Sequence, residues 1–100
     1  MGTVVLAKGT GAANSADFNV GDKPLHVLAY PVANMASEVG NLVEKNPDGT
    51  YQAVYNSGGT LVALGATWPS YTLTSGRTFR VEWAARTSAI GVVISEQIKR

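Results

Sequence analysis

Histidine is the residue type that exchanges protons near neutral pH, and this chain has one, His26, set in the apolar run Leu25-His26-Val27-Leu28-Ala29-Tyr30-Pro31-Val32. A zinc site needs several nitrogen or sulfur ligands at suitable spacing, and with no cysteine and no second histidine that ligand set cannot be assembled. A serine nucleophile would call for a mark such as a Gly-x-Ser-x-Gly elbow, which is absent, so His26 reads as a structural histidine. Asp17-Phe18-Asn19-Val20-Gly21-Asp22 alternates oxygen ligands as a calcium loop does. The order fails, because Gly21 precedes Asp22 where a donor should precede glycine, and Leu28 stands at the bidentate Glu position. That stretch reads as a strand and a turn. Gly9-x-Gly11 would suit a phosphate-cradling loop, but Asn14 occupies the third glycine position and no helical pattern follows. Arg77, Arg80 and Arg86 lie near Tyr71, Phe79 and Trp83, a mixture able to hold single-stranded nucleic acid by stacking and phosphate contact. Phe79 and Trp83 share the presumed core face, however, which leaves the arginines as solvated side chains beside a core. Trp68 and Tyr71, flanking Pro69 in a loop, suit either a sugar-stacking platform, a protein-interface anchor or a corner aromatic that closes the core. No catalytic residue, metal ligand or cofactor is therefore expected, and Tyr30, Trp68 and Tyr71 are the candidate partner-interface residues.

The whole-chain composition points the same way. One hundred residues make one domain, 1–100, able to bury a single modest core. Charged residues are only 15% against a usual value of roughly 25%, so little charge is available to cover the surface, and a permanent partner or self-association is expected. The net charge of +1 lacks the basic excess of a dedicated nucleic-acid binder. Absence of cysteine frees folding from an oxidising compartment. The first eight residues do not read as a signal peptide, Leu6 stands where a myristoylation site has Ser or Thr, and no run reaches the ~20 apolar residues of a membrane span. The expectation is a soluble protein with neither nucleic acid nor membrane as partner.

The elements that would position these residues are short and extended. Residues 50–98 hold apolar-alternating segments separated by Gly-, Pro- and Ser-bearing turns, and the rest of the chain is expected to pack against them. In Thr78-Phe79-Arg80-Val81-Glu82-Trp83, alternation turns Phe79, Val81 and Trp83 to one face and Arg80 and Glu82 to the other. Residues 3–7 and 16–20 read as strands, 8–15 as a loop of small residues, and 25–32 as a strand apolar on both faces, ended by Pro31. A single helical turn over 34–38 precedes a strand over 39–44. Asn46-Pro47-Asp48-Gly49 has the type I turn pattern and predicts a hairpin into 50–56, and Ser57-Gly58-Gly59 turns into a strand over 60–66. Short strands over 71–74, 78–84 and 90–98 complete what reads as a meander. The fold class is all-β, a small antiparallel β-sandwich or jelly-roll of about eight short strands. Its predicted core is Phe18, Val27, Val54 or Tyr55, Leu61, Leu73, Phe79, Val81, Trp83, Val92 and Ile94.

The run DGTYQAVYNSGGTLVAL at 48–64, followed by YTLT at 71–74, RTFRV at 77–81 and AIGV at 89–92, resembles the small β-sandwich capsid decoration, or cement, proteins of tailed bacteriophages. The likeness covers about half of the chain. It implies a non-enzymatic virion protein, made in the host bacterial cytoplasm and seated on the capsid surface. There it would bind the assembled major capsid protein and associate with its own copies, commonly as trimers. A carbohydrate-binding module of a tail fibre or adhesin is the alternative, and it would use Trp68 and Tyr71. A small enzyme would instead need His26 in a cleft beside a carboxylate or hydroxyl.

Overall fold

The computed structural model describes residues 2–21, 23–31, 33, 35, 38–56, 58–74 and 77–96. Ten strands follow one another: β1 (Gly2–Gly9), β2 (Ala13–Asn14), β3 (Phe18–Asn19), β4 (Leu25–Tyr30), β5 (Gly40–Lys45), β6 (Tyr51–Ala53), β7 (Ala63–Leu64), β8 (Ser70–Leu73), β9 (Thr78–Trp83) and β10 (Ile90–Glu96). No α-helix occurs among the described residues. Of the predicted helical turn over 34–38, Asn34, Ala36 and Ser37 lie outside the described residues, as do Ser75 and Gly76 of the turn before β9 and the last residues, 97 and 98, of the final predicted strand.

The strands form two antiparallel sheets. Sheet A has the order β1-β10-β4-β8, and sheet B has β2-β9-β5-β6, with β3 also on β9 and β7 also on β5. β2 and β3 lie along one strand partner, and so do β6 and β7, which leaves eight strand positions. The first then pairs with the eighth, the second with the seventh, the third with the sixth and the fourth with the fifth. This is the path of a long hairpin rolled into two sheets, a jelly-roll. The expected meander is corrected: β8 pairs with β4 and β9 with β5, so neighbours in the chain cross between sheets. Alternation tells which side chains point inward, but strand partners are chosen by how the two apolar faces close on each other.

The core lies between the sheets. Phe18, Val27, Leu73, Phe79, Val81, Trp83 and Val92 are buried in it, while Val54 and Ile94 pack at its margin. Leu61 is 42% exposed and Tyr55 63%, so the expectation of Leu61 in the core is overturned and Val54 takes the inward place. The reason is local. In the hairpin that joins β6 to β7 the Val62 carbonyl still accepts the Leu42 N–H of β5, at 3.2 Å, whereas Tyr55 and Leu61 bridge to each other beyond it, beside a Val62 N–H bond to the Val54 carbonyl at 2.8 Å. Its turn is tied by the Asn56 carboxamide oxygen, which accepts the N–H groups of Gly58 and Thr60, and by Gly59 at φ +81°.

The predicted loop over 8–15 is also more ordered than its small residues suggest, since β1 runs on to Gly9 and β2 pairs with β9. Between β2 and β3 the chain bulges, and Ser15 fills the gap in the ladder. Its hydroxyl accepts the Val81 N–H at 2.9 Å while its own N–H donates to the Val81 carbonyl. At the predicted turn of Asn46-Pro47-Asp48-Gly49, the Asp48 carboxylate accepts both the hydroxyl and the N–H of Thr50. These bonds hold the Asp48 pKa below its ordinary value. A lowered pKa places the carboxylate's contribution at pH above the unfolded-state value and removes it as pH falls through the folded one.

Candidate functional site

The outward faces of the two sheets differ in chemistry. On sheet B, Arg80 donates to Glu82 through Nε at 2.9 Å and Nη2 at 2.6 Å, and its guanidinium lies 3.7 Å from the centre of the Tyr51 ring. The Tyr51 hydroxyl donates to Asp17, which also pairs with Lys45 at 3.4 Å. This lattice of charge covers the outward face of sheet B. Arg80 is therefore less free than a solvated arginine. Truncation to Ala is expected to lower stability by about 1 kcal/mol, read as a fall of a few degrees in melting temperature, because a part-exposed pair and one ring contact are screened.

Sheet A lacks such cover. One rung across it aligns Val4, Val93, Leu28 and Ser70, the next Gly2, Ser95, His26 and Thr72, and a third Gly91 and Tyr30. Alternation with the buried Val27, Ala29 and Val92 turns these residues outward, and Val4 is 56% exposed. None of them carries a carboxylate, ammonium or guanidinium; Lys8 lies over Gly91, at the end of the face away from Ser95 and His26. His26 Nδ1 lies 3.3 Å from the Thr72 hydroxyl, and no carboxylate bonds to it among the described residues. Nor do three or more His, Asp or Glu side chains cluster there as a metal site would require; Asp22, of the calcium-like stretch, lies outside those residues.

The second feature lies where the sandwich opens between β8 and the β6–β7 edge. A groove of about 600 Å³ runs there between the β6–β7 hairpin and β8, lined by Asn56, Thr60, Leu61, Trp68, Ser70 and Tyr71 among others. Trp68 stands in the loop that carries the chain from sheet B to sheet A, where the Gly65 N–H donates to its carbonyl and the Pro69 carbonyl accepts the Ala29 N–H. That backbone is held, yet the Trp68 side chain is 73% exposed. Tyr71 faces inward opposite Val27, packs on the core and presents part of its ring to the groove.

Trp68 and Tyr71 thus meet at one groove, whereas Tyr30 does not line it and lies on the outward face of sheet A. Tyr55 and Leu61, read from sequence as strand residues with Leu61 in the core, stand exposed on the hairpin, and Leu61 reaches the groove. In the sequence, the Gly58-Gly59 turn marks the hairpin that carries these two side chains.

No protein-family model matches the chain, and no curated protein matches it in sequence. In three dimensions it is similar to the crystal structure of SPBc2 prophage-derived protein YomS, with a TM-score of 0.69 over 97% of this chain and 92% of that one. The likeness is one of fold. At 15% identity it speaks for the path of the backbone and leaves the surfaces to be read from this chain's own residues. Among the described residues no helix is long and apolar enough to cross a membrane.

Proposed function

We propose that the chain is a non-enzymatic structural protein of a tailed-bacteriophage virion, a capsid decoration protein that binds the assembled major capsid shell and associates with its own copies. The observation that carries this reading is the outward face of sheet A, whose centre has no charged side chain, beside the charge-covered face of sheet B. A face whose centre is Val4, Val93 and Leu28 gains free energy when it leaves water and sets no charge against a neighbour, which suits a contact repeated over a shell. The prophage origin of a protein with the same fold adds to it. Clamping follows from geometry: a copy that bridges two capsid subunits binds only their assembled arrangement and so stabilises the closed shell over its separated parts.

Leu28→Asp tests it, since a carboxylate at the centre of that face would be stranded in any contact made there. The wild-type protein should bind assembled heads, raise their rupture temperature and sediment as an oligomer, with trimers the form the family resemblance implies. The variant should bind heads at least about tenfold more weakly, a loss of about 1.4 kcal/mol, while melting close to the wild-type temperature. A protein that stays monomeric and neither binds heads nor changes their rupture overturns the reading.

A further inference from the structure

The groove under Trp68 adjoins the outward face of sheet A at Ser70 and Thr72 but has a different chemistry. One side is the exposed indole; the floor and far side offer the Thr60, Ser70 and Tyr71 hydroxyls and the Asn56 carboxamide, with Leu61 at the edge. None of these lining residues is charged. Those three hydroxyls make no hydrogen bond to another described residue, so they are open to a ligand. The volume of about 600 Å³ is in the range of small-ligand sites.

A ligand that fits must present an apolar face to an indole and many neutral hydrogen-bonding groups to hydroxyls and an amide. Nucleotides fail, because among the described residues no cation lines the groove to answer a phosphate. A purely apolar ligand would strand the hydroxyls. Sugar rings satisfy both demands: their axial C–H faces stack on an aromatic ring, and their equatorial hydroxyls bond in its plane. We propose that the groove between the hairpin of residues 54–62 and β8 is a binding site for a neutral oligosaccharide, with Trp68 as the stacking platform and the Ser70, Thr60 and Tyr71 hydroxyls as the polar contacts. This goes beyond the decoration role, since it uses a surface distinct from the centre of sheet A's outward face and can serve a virion protein that displays it.

The two tryptophans supply the assay. Trp83 is 2% exposed and Trp68 73%, so iodide quenches the fluorescence of Trp68 selectively. The isolated protein is titrated with maltotriose, with the β-1,4 trimer of N-acetylglucosamine, with β-1,4-galactotriose and with the acidic trigalacturonate. At least one neutral trisaccharide should shield Trp68 from iodide with a Kd on the order of 1 mM or tighter, and trigalacturonate should not bind more tightly. By calorimetry, Trp68→Ala should weaken that sugar at least about tenfold without a change in melting temperature. Tyr71→Phe, which keeps the packed ring, should weaken it severalfold. Failure of every neutral sugar to shield Trp68, tighter binding of the acidic one, or unchanged affinity in Trp68→Ala overturns the site. Head binding by the same protein is scored separately and is untouched by that result.

Discussion

Trp83→Ala is expected to lower the unfolding free energy by about 3–5 kcal/mol, the range for removing a large buried aromatic, and to drop the melting temperature by on the order of 15 °C. Trp83 is among the largest fully buried side chains, and it closes the core at the end of β9. Its seat depends on a glycine. Gly40 lies opposite Trp83 in the β5–β9 ladder, and a Cβ built there would come within 2.4 Å of the indole. Gly40→Ala is therefore expected to destabilise by at least about 1–3 kcal/mol through overpacking, since the ring must leave its seat. The two effects should not add. With the indole already gone, the added methyl meets open space, so the Gly40→Ala, Trp83→Ala double variant should be more stable than the sum of the singles predicts, by more than about 1 kcal/mol. Chemical denaturation of the four proteins measures the coupling; strict additivity would show that the ring does not rest on Gly40. The indole Nε1 is buried without a partner among the described residues, so Trp83→Phe, which removes that donor, should cost less than Trp83→Ala.

Arg86→Ala is expected to have an effect of similar size for a different reason. Arg86 was read from sequence as a solvated arginine beside the core, and the structure overturns this: it is 7% exposed. Its Nε donates to the Gly11 carbonyl at 2.9 Å, Nη1 to Ile90 at 2.7 Å and Ala7 at 3.4 Å, and Nη2 to Thr10 at 3.2 Å, while the Gly11 N–H returns a bond to the Arg86 carbonyl. Among the described residues no carboxylate pairs with it, so this guanidinium acts as a rigid fork of donors that ties the end of β1 and the following loop to the start of β10. Removing it leaves several carbonyls without a donor in a site closed to water. With about 1.5–3 kcal/mol per bond to a charged donor, and bonds in one network less than additive, a loss of about 3–5 kcal/mol is expected. Arg86→Lys should recover little, because a single ammonium cannot reach carbonyls spread over two strands and a loop. Denaturation curves for both variants decide this; a loss below about 1 kcal/mol in Arg86→Ala would mean that water takes the fork's place.

The contrast between these two residues marks what can be read along the chain. Trp83 was placed in the core from sequence because Phe79, Val81 and Trp83 repeat at the period of a strand, and that period is a property of the backbone whatever the strand pairs with. The same reasoning gave Phe18 and Val27 their inward places and the 46–49 turn its form, and it yielded an all-β sandwich or jelly-roll. Those features are local: they follow from steric period and turn chemistry within a few residues. Arg86 has no such period. Apart from the Ile90 carbonyl, the carbonyls that hold it are 75 and more residues away in the chain, brought to it only when β1 closes on β10. The two surfaces are of the same kind. Tyr30, Trp68 and Tyr71 stood out from sequence as aromatics without an assigned partner, but whether they share a site depends on which strands become neighbours. Pairing of β8 with β4 rather than β7 opens the groove beside Trp68 and Tyr71, and pairing of β4 with β10 joins Leu28 to Val93 in a charge-poor face that includes Tyr30. Composition shows only that charge is scarce; the roll of the hairpin brings Asp17, Lys45, Arg80 and Glu82 together on one sheet and leaves the centre of the other without a charged side chain, because side chains on one face of a sheet are collected from strands far apart in sequence.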